Sequence, residues 1–354
     1  MERTTVDRYE ECGGEWAARR QPVRREAALA FAQRVAPGAL RLDVGAGAGR
    51  YTNELGQPVL ALDAARTMLD LLGGVAPDAM RVRADIEALP LRRGAAGGAW
   101  ANMSYLHVPR QRLPLALADL HRSLVVDSPL DVQVLHGAYE GHALPDDDLG
   151  GRFFAAWEAP SLVDVLTGAG FSVDAPQVEG QVVRAAGRRE RTLPDTVGPG
   201  MRLLICGLNP SLYSADRGVG FARPGNRFWP AALAAGLATR TADPWHALRH
   251  HGLGMTDLCK RATVASAELT AEEYRAGVAR VERLVRWLRP RLVCFVGLEG
   301  WRVALDHRAG AGPQQGGFAG RPAYVMPSTS GLNAHSSLSE LVEHMRRASA
   351  LAGT

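Results

Sequence analysis

Two short apolar runs, far apart in the chain, each pass directly into a loop of small or rigid residues, and this repeated arrangement restricts the fold most. Leu40–Val44 passes into Gly-Ala-Gly-Ala-Gly, and Met201–Cys206 passes into Gly-Leu-Asn-Pro-Ser. Further apolar runs alternate with stretches of helical periodicity in both halves. Alternating strands and helices form mainly parallel sheets, and loops at the carboxyl ends of such strands bind ligands. We therefore predict two α/β domains.

The predicted elements follow from these periodicities. In the first half, a helical pattern over Glu15–Val35 precedes strands at Leu40–Val44, Val59–Leu62, Arg81–Ala84, Ala99–Ser104, Leu130–Leu135 and Phe171–Val173. In the second half, strands are predicted at Met201–Cys206, Leu292–Val296 and Ala323–Met326, and helices at Trp229–Leu237, Ala271–Leu288 and Leu338–Leu351. The segment 184–200 is rich in Arg, Gly and Pro and lacks periodicity, as linkers do. We predict a three-layer α/β/α domain over residues 1–184, a linker over 185–200 and a second such domain over 201–354.

The charge of the chain differs between its halves. Residues 201–354 hold 19 basic and 11 acidic side chains, a balance of +8, which leaves −4 for the first 200 residues within the total of +4. A basic half beside an acidic half indicates a polyanionic partner for the basic half only.

Other features exclude whole classes of protein. The sequence contains no run of 18 apolar residues and no signal peptide pattern, so we expect no membrane partner and a cytoplasmic location. The four cysteines form no C-x-x-C pair, so neither a metal site nor an iron–sulfur cluster is expected. The oligomeric state is not indicated.

The glycine loop of the first half has the chemistry of a nucleotide-cofactor site. Glycines let the backbone approach a ligand closely, and a helix start offers unpaired N–H groups. Asp63 ends the next predicted strand, where a carboxylate can accept hydrogen bonds from both ribose hydroxyls. An NAD-dependent dehydrogenase shows a similar acid at similar spacing, so these features alone leave both cofactors open.

Two further motifs separate the alternatives. The glycine pattern is G-x-G-x-G, and the third predicted strand ends in ADIEALP at residues 84–90. Because of these motifs, the segment of roughly residues 6–184 resembles the class I S-adenosylmethionine-dependent methyltransferases, which have a Rossmann-like fold. The resemblance implies that S-adenosyl-L-methionine is the cofactor, with its methionine end on the glycine loop, its ribose on the acid after strand two and its adenine near the acid after strand three. The implied binding residues are Asp43, Gly45, Gly47, Gly49, Asp63 and Asp85.

The methyl acceptor is not revealed. Enzymes that methylate the exocyclic amines of bases carry Asn/Asp-Pro-Pro-Tyr after the fourth strand, whereas residues 101–107 read ANMSYLH, which argues against an amino-group DNA methylase. His107 or Tyr105 can act as a base, although a structural role is more usual for each. An active methyltransferase, a silent cofactor binder and a dehydrogenase are the alternatives for this half.

Two loops of the second half combine the groups that recognition of an extruded base requires. The loop 207–229 packs glycines, prolines, amides, arginines and aromatics after a predicted strand, which suits a planar heterocycle. The loop 326–335 follows another strand and carries small hydroxyl residues, which can bind phosphates, beside the apolar Leu332. An apolar tip in such a loop is typical of a wedge that displaces a base.

With these loops, residues 200–351 resemble the mismatch-specific uracil/thymine DNA glycosylases of the uracil-DNA glycosylase superfamily, whose fold has a short parallel sheet. GLNP at 207–210, FARPGNRFW at 221–229, GMTDL at 254–258, RAT at 261–263 and SGL at 330–332 agree in order and spacing. The resemblance implies that the amide oxygen of Asn209 orients the attacking water and that Phe221 stacks on the extruded base. It also implies a substrate of double-stranded DNA with a G·U or G·T mispair, and no cofactor.

The remaining implied roles concern base and DNA contacts. Base binding is assigned to Gly207, Leu208, Ser214 and Phe221. The wedge and phosphate contacts are assigned to Ser328, Ser330, Gly331, Leu332 and Asn333, with Gly331 and Asn333 facing the unpaired guanine.

Three positions bear on which base is removed. Ser211 replaces the glycine that is usual after Asn-Pro and is expected to crowd the pocket. Ser328-Thr329 agrees with thymine-processing members, whereas Ser214 agrees with uracil-preferring members, so thymine stays open. The alternative from another class is a non-catalytic lesion-binding protein with a silent cofactor domain.

Overall fold

The structure, a computed structural model, describes residues 1–145 and 147–353. The chain divides into two compact units, Met1–Glu190 and Arg191–Thr354. Thr354, the last residue of the predicted second domain, lies outside the described residues. None of the helices within the described ranges is long and apolar enough to cross a lipid bilayer.

The first unit alternates helices and strands. Its helices are α1 (Arg3–Ala18), α2 (Arg25–Arg34), α3 (Arg66–Val75), α4 (Leu113–Ser123) and α5 (Ala159–Gly168). Its strands are β1 (Arg41–Val44), β2 (Val59–Asp63), β3 (Met80–Arg83), β4 (Gly98–Asn102), β5 (Pro129–Leu135), β6 (Glu140–Gly141), β7 (Phe154–Ala155), β8 (Phe171–Val173), β9 (Gln177–Glu179) and β10 (Val182–Arg189).

The main sheet of this unit has the order β3-β2-β1-β4-β5-β10-β8, with β9 paired to β10. The strands from β3 to β5 are parallel, while β10 is antiparallel to both β5 and β8. The chain moves outward from β1 to β3 and then returns to β4 on the other side of β1. Such a reversal opens a crevice at the carboxyl end of the central strand, where the glycine loop begins.

The second unit has its own sheet. Its helices are α6 (Leu212–Arg217), α7 (Phe228–Ala234), α8 (Pro244–His251), α9 (Ala271–Leu288), α10 (Leu298–Ala304) and α11 (Leu338–Gly353). Its strands are β11 (Leu203–Gly207), β12 (Leu253–Asp257), β13 (Leu292–Val296), β14 (Gly312–Phe318) and β15 (Arg321–Met326).

The strand order in the second unit is β12-β11-β13-β15-β14, and β14 is antiparallel to β15 while the others run parallel. β11 lies between β12 and β13, so the loop after Gly207 leaves the sheet at another reversal point. Phe228 and Trp229 of α7 belong to the hydrophobic core of this unit. Both units are thus mixed α/β folds with parallel-rich sheets, which confirms the predicted fold class.

The helical pattern over Glu15–Val35 is divided between two helices. α1 ends at Ala18 and α2 begins at Arg25. Pro22 lies between them, and a proline removes a backbone donor and restricts the residue before it, so one continuous helix cannot form. The first helix instead extends back to Arg3.

The segment predicted as a linker, residues 185–200, contains the boundary between the two units, but part of it forms regular structure. Its first part belongs to β10, in which the side chain of Arg184 donates to the buried Asp131 of β5, with Nε 3.0 Å from Oδ1. Arg184 can therefore lie within a strand, because a carboxylate of the neighbouring strand compensates its charge. Further on, Thr196 exchanges two backbone hydrogen bonds of 2.8 Å with Met255 of β12.

Asp195, also in the predicted linker, lies at the centre of a buried ion cluster. Its Oδ2 accepts from Arg280 at 2.7 Å, and its Oδ1 accepts from Lys260 at 3.0 Å and from the Thr256 hydroxyl at 2.7 Å. Burial would raise the pKa of Asp195, but the charges of Arg280 and Lys260 outweigh burial and lower it. The segment before β11 is therefore tied to β12 and α9.

We predict that Asp195→Asn destabilises the second unit strongly, because Lys260 and Arg280 would become buried cations without a counter-charge. Removing one partner of a buried ion pair costs about 3–5 kcal/mol. Urea unfolding of the full chain measures the effect. Asp216→Asn is the matched control: it removes the partner of Arg191 in an exposed pair and should change little. Equal losses in the two variants would contradict the prediction.

Candidate functional site

The loop after β1 is shaped by its three glycines. Gly45 has a φ of +69°, and a Cβ there would lie 2.3 Å from the Cβ of Ser104, so only glycine fits. A Cβ at Gly49 would lie 2.7 Å from Cγ of Leu72, whereas a Cβ at Gly47 would meet no atom within 4 Å. The loop thus packs tightly at its outer glycines and leaves the backbone of Gly47 open to a ligand.

Two carboxylates accompany this loop. Asp63 accepts the N–H of Gly47 on Oδ2 at 2.8 Å and the N–H of Ala65 on Oδ1 at 2.9 Å, and burial raises its pKa. Asp43 is buried and accepts a hydrogen bond of 2.7 Å from the Thr52 hydroxyl. Burial raises the pKa of Asp43 to about 7. A cation bound next to Asp43 would favour its ionised form.

The loop and its acids line a cavity of about 720 Å³. Of the predicted cofactor residues, Asp43, Gly45, Gly47 and Asp63 are in its wall. Gly49 is not among the wall residues, because it packs against α3.

Asp85 departs from its predicted position near a bound adenine. Its carboxylate accepts from the N-terminal ammonium of Met1 at 2.8 Å, and its side chain is 46% exposed. The following residue, Ile86, lies in the cavity wall, whereas Asp85 does not. The geometry therefore gives no support to an adenine contact from Asp85, since an ammonium group pairs with its carboxylate.

A buried hydrogen-bond chain occupies another part of the cavity wall. Arg152 donates to the Tyr9 hydroxyl at 2.8 Å, and this hydroxyl lies 3.0 Å from Nε2 of His107. Nδ1 of His107 lies 2.7 Å from the carbonyl oxygen of Phe153, so Nδ1 carries the proton and Nε2 accepts from Tyr9. Burial lowers the pKa of His107 to about 4, so its ring is neutral with both nitrogens engaged. Tyr105 is fully buried outside the wall, so the structure favours a structural role for both candidate bases.

In the second unit, Asn209 follows β11 with its side-chain amide held in one orientation. Its Nδ2 donates to Oγ1 of Thr263 at 2.8 Å and to the carbonyl of Arg261 at 2.9 Å. Thr263 is itself tied to this turn, because its N–H donates to the carbonyl of Pro210 at 3.1 Å. Oδ1 of Asn209 accepts no hydrogen bond from any described residue. The structure therefore presents an amide oxygen that is fixed in place and free to bind.

The ring of Phe221 forms a platform next to the same turn. It stacks on Phe228 with ring centroids 4.1 Å apart and planes inclined by 14°. Phe228 is fully buried, whereas Phe221 is partly exposed. The tip of the ring lies close to the start of the catalytic turn, since a Cβ on Gly207 would be 3.4 Å from it. Phe228 therefore covers one face of a ring that is only partly buried.

Ser211, expected to crowd the pocket, caps the first turn of α6. Its Oγ accepts the N–H of Ser214 at 3.2 Å and donates to the Ser214 hydroxyl at 3.1 Å. Ser214 is buried, so its hydroxyl serves this cap and the structure does not support its predicted base contact. Leu208 likewise uses its carbonyl within the fold, where it accepts the N–H of Cys259 at 2.8 Å.

The predicted wedge loop is rigid and has an exposed apolar tip. Leu332 is 83% exposed, and Gly331 next to it is exposed as well. Arg227 holds the loop by donating to the carbonyls of Ser330 at 3.1 Å and Asn333 at 2.7 Å. An apolar side chain is thus kept in solvent by a braced loop.

Side chains inside the wedge loop brace it further. The hydroxyls of Ser328 and Ser330 accept the backbone N–H groups of Ser330 and Leu332, both at 3.3 Å. The amide of Asn333 donates to the carbonyl of Ser328 at 2.8 Å and accepts from the N–H of His335 at 3.1 Å. The predicted side-chain contact between Asn333 and the unpaired guanine is therefore not supported, because the amide is used within the loop.

Asp257, at the end of β12, is a site residue to which the sequence analysis gave no role. It pairs in register with Gly207, and a Cβ on Gly207 would lie 2.5 Å from its Oδ1. Its carboxyl accepts no hydrogen bond from the described residues, and burial raises its pKa to about 6. The signal was available, since an acid at the end of an apolar strand also identified Asp63.

Comparison with known families agrees with this geometry. Residues 194–349 match the family model described as the uracil DNA glycosylase superfamily, and residues 42–128 match the model described as a methyltransferase domain. The chain contains a methyltransferase domain and a uracil-DNA glycosylase superfamily domain. The match of the glycosylase-superfamily domain includes Asp195, Asn209, Phe221 and Leu332, and that of the methyltransferase domain includes the glycine loop and Asp63.

Solved structures resemble this chain over about half its length. A 1,6-didemethyltoxoflavin-N1-methyltransferase of Burkholderia thailandensis has 20% identity, with 52% of this chain and 88% of that chain covered and a TM-score of 0.41. An S-adenosylmethionine-dependent methyltransferase of Mesorhizobium loti has 17% identity, coverages of 48% and 98%, and a TM-score of 0.40. A methyltransferase described as putative in its complex with an activator, from Haloferax volcanii, has 14% identity, coverages of 52% and 97%, and a TM-score of 0.43. Similarity at this level says nothing about the substrate of this chain.

Proposed function

We propose that the glycosylase-superfamily domain hydrolyses the N-glycosidic bond of uracil mispaired with guanine in double-stranded DNA. The observation that carries this proposal is the amide of Asn209, anchored through Nδ2 on Thr263 and Arg261 with Oδ1 free. An oxygen fixed in this way can hold a water molecule in position for attack, which a mobile side chain does less well.

Phe221 and Leu332 provide the other two parts of the mechanism. The extruded base stacks on the free face of Phe221, whose opposite face rests on the buried Phe228. The exposed Leu332 occupies the space that the base leaves in the helix. The positive balance of residues 201–354 supports binding to the phosphate backbone.

Preference for a mispaired base follows from the weakness of the catalytic group. A neutral amide is a poor general base, so the reaction relies on a leaving base that can take up negative charge as the bond breaks. Extrusion costs least for a base that is already mispaired. Both effects favour uracil opposite guanine, and thymine opposite guanine is the more demanding substrate.

Asp257 lies where an edge of the stacked base would be, since both its carboxyl and the Phe221 ring approach Gly207. A carboxylate there would repel the charge that develops on the leaving base, whereas a neutral carboxyl group can donate a hydrogen bond to a base carbonyl. We therefore propose that Asp257 is protonated in the catalytically active state.

For the methyltransferase domain, we propose that the cavity binds S-adenosyl-L-methionine. The open space beside Gly47, the buried Asp43 next to the loop and the carboxylate of Asp63 fit its methionine end, its ammonium group and its ribose. The cofactor supplies an electrophilic methyl group when it is bound. Asp43 would become fully ionised against the ammonium, and Asp63 would keep Gly47 in place while it accepts from the ribose hydroxyls.

The alternative, a lesion-binding protein without turnover, predicts binding but no cleavage. Duplexes with single G·U, G·T and matched pairs, incubated with the protein and then treated with alkali, distinguish the two. Strand breaks at the mispaired base support the glycosylase. Specific binding without breaks would favour the lesion-binding protein.

We predict that Asn209→Ala lowers the single-turnover rate of uracil release by about 100-fold or more, since the water loses its anchor. Binding to the G·U duplex should change little. Thr263→Val is the informative partner variant, because it keeps the amide oxygen but removes one of the two groups that orient it. Its rate should fall between those of the wild type and Asn209→Ala. An unchanged rate in Asn209→Ala would refute the assigned role.

We predict that uracil release is faster at pH 5.5 than at pH 8, because Asp257 ionises as the pH rises through about 6. Asp257→Asn, which stays neutral, should remove most of this dependence. The charged and titratable groups that act electrostatically on Asp257 are Lys260, Arg280, Asp195, Cys206 and Cys259. The pKa of Asp195 is lowered and those of the two thiols are raised, so these three do not change charge in this range. A rate that rises with pH in the wild type and not in Asp257→Asn would contradict the assignment.

We predict that Asp63→Ala weakens binding of S-adenosyl-L-methionine by about tenfold or more in isothermal titration, because hydrogen bonds to a charged group are lost. Asp85→Asn is the matched control and should bind almost as the wild type does, since Asp85 lies outside the cavity wall. Titration with NAD should give no heat. Binding of NAD in place of S-adenosyl-L-methionine would contradict the proposal and favour the dehydrogenase alternative.

A further inference from the structure

Two buried cations lie around Asp257 and do not bind its carboxyl group. Arg280 of α9 donates through Nη2 to the backbone carbonyl of Asp257 at 2.7 Å and to the Thr256 hydroxyl at 3.0 Å. Lys260 lies in the loop that follows β12. Within the described residues, neither cation donates a hydrogen bond to the carboxyl group of Asp257. This carboxyl group is therefore a buried acid without a counter-ion, although cations are close to its backbone.

Asp195 is the group that binds both cations. Its Oδ2 accepts from Nη1 of Arg280 at 2.7 Å, and its Oδ1 accepts from Nζ of Lys260 at 3.0 Å. Lys260 also donates to the carbonyl of Leu193. The side chains of Arg280 and Asp195 are only 8% and 4% exposed, and a buried cation needs an anion as its partner. The carboxylate of Asp195 meets this need for Lys260 and Arg280 together.

The alternation of side chains along β12 keeps this ion cluster away from the Asp257 carboxyl group. Consecutive side chains of a strand point to opposite faces of the sheet. The Thr256 hydroxyl donates to Asp195 at 2.7 Å and accepts from Arg280, which places the cluster on the Thr256 face. The Asp257 side chain lies on the other face, where its Oδ1 would be 2.5 Å from a Cβ on Gly207. That face is the one that we assign to the extruded base.

We propose that Asp195 is a positioning residue for uracil release, because it holds Lys260 and Arg280 on the Thr256 face and prevents either cation from pairing with Asp257. The inference rests on the proposed function of Asp257 in the glycosylase reaction. While the cations are held, Asp257 keeps its proton and can donate it in a hydrogen bond to the base. A cation beside its carboxyl group would favour the ionised form, which repels the charge on the leaving base.

Several elements contribute charged or titratable groups around Asp257. They are Asp195 in the segment before β11, Cys206 on β11, Cys259 and Lys260 after β12, and Arg280 on α9. Burial raises the pKa of both thiols, so they stay neutral where Asp257 titrates. Burial also raises the pKa of Asp257 and outweighs the two cations, which lower it. Asp195 and these cations are thus the charges that a variant can change.

The test measures the pH at which the single-turnover rate of uracil release falls to half its maximum. Asp195→Asn should lower this midpoint by about one pH unit or more, because an anion is removed and two cations are released. Lys260→Gln should raise the midpoint, because it removes a cation that favours ionised Asp257. Lys260→Arg keeps the charge and should titrate as the wild type does. Shifts in opposite directions exclude a merely loosened fold, since entering water would lower the pKa of Asp257 in both variants.

Asp216→Asn is the matched control, because it removes a carboxylate from the exposed pair with Arg191 and should leave the midpoint unchanged. A folded Asp195→Asn with the midpoint of this control would overturn the proposal, and so would shifts of Asp195→Asn and Lys260→Gln in the same direction. If Asp195→Asn does not fold, Lys260→Gln decides alone, since Asp195 keeps Arg280 as its partner there. An unchanged midpoint in Lys260→Gln would then overturn the proposal.

A second measurement follows Asp257 without DNA. NMR titration of isotope-labelled aspartate carboxyl groups, with the Asp257 signal assigned by its absence in Asp257→Asn, should show the same opposite shifts in the two variants. If the wild type releases no uracil, the glycosylase proposal fails and the catalytic role of Asp195 fails with it. Opposite shifts in the NMR titration would still support control of Asp257 by Asp195, and equal midpoints in all variants would overturn that control as well.

Discussion

Parallel strands end at the same edge of their sheet, and every candidate site in this chain depends on that constraint. In the first unit the constraint gathers the glycine loop after β1 and Asp63 after β2 around one cavity. In the second unit it gathers Asn209, Asp257 and the wedge loop, although these groups are widely separated in sequence. A loop that leaves a buried strand is anchored at one end by the sheet ladder, so its polar groups have defined positions without forming part of the core.

Three aspartate carboxyl groups in this chain have different pKa values because their surroundings differ. Asp195 meets two cations and has a lowered pKa, which makes it a structural anchor. Asp257 lies only a few residues from one of these cations in sequence but accepts no hydrogen bond from the described residues, and burial raises its pKa to about 6. Asp43 has a hydroxyl partner and no cation, and its pKa rises to about 7. Partners, and not residue type, therefore separate the structural acids from those that suit a ligand.

Much of the fold could be read from local sequence patterns. The strand Leu292–Val296 and the helix Ala271–Leu288 lie where the apolar periodicity predicts them, because each buries residues at the spacing of its own element. The sequence patterns were misleading where a segment rich in Arg, Gly and Pro without periodicity was taken as irregular, since its first part belongs to β10. Arg184 belongs to a strand since Asp131 lies on the neighbouring one, and this pairing brings together residues 53 positions apart in sequence. Three glycines and one proline in residues 312–318 likewise mask the sequence pattern of a strand at the edge of the second sheet.

By itself, the sequence determined the fold class of both units and identified Asn209, Phe221 and the glycine loop as candidates. Motifs of adjacent residues can be recognised without knowledge of long-range contacts. Only the tertiary structure decided which groups are free. In the structure the amide of Asn333 bonds within its own loop, Asp85 pairs with an ammonium group, and Oδ1 of Asn209 has no partner among the described residues. The tertiary structure also placed Asp257 beside Gly207 at the same sheet edge. The physical reason is that the hydrogen-bond partners and the solvent exposure of a side chain depend on which residues lie next to it in space. The order of the strands determines those neighbours.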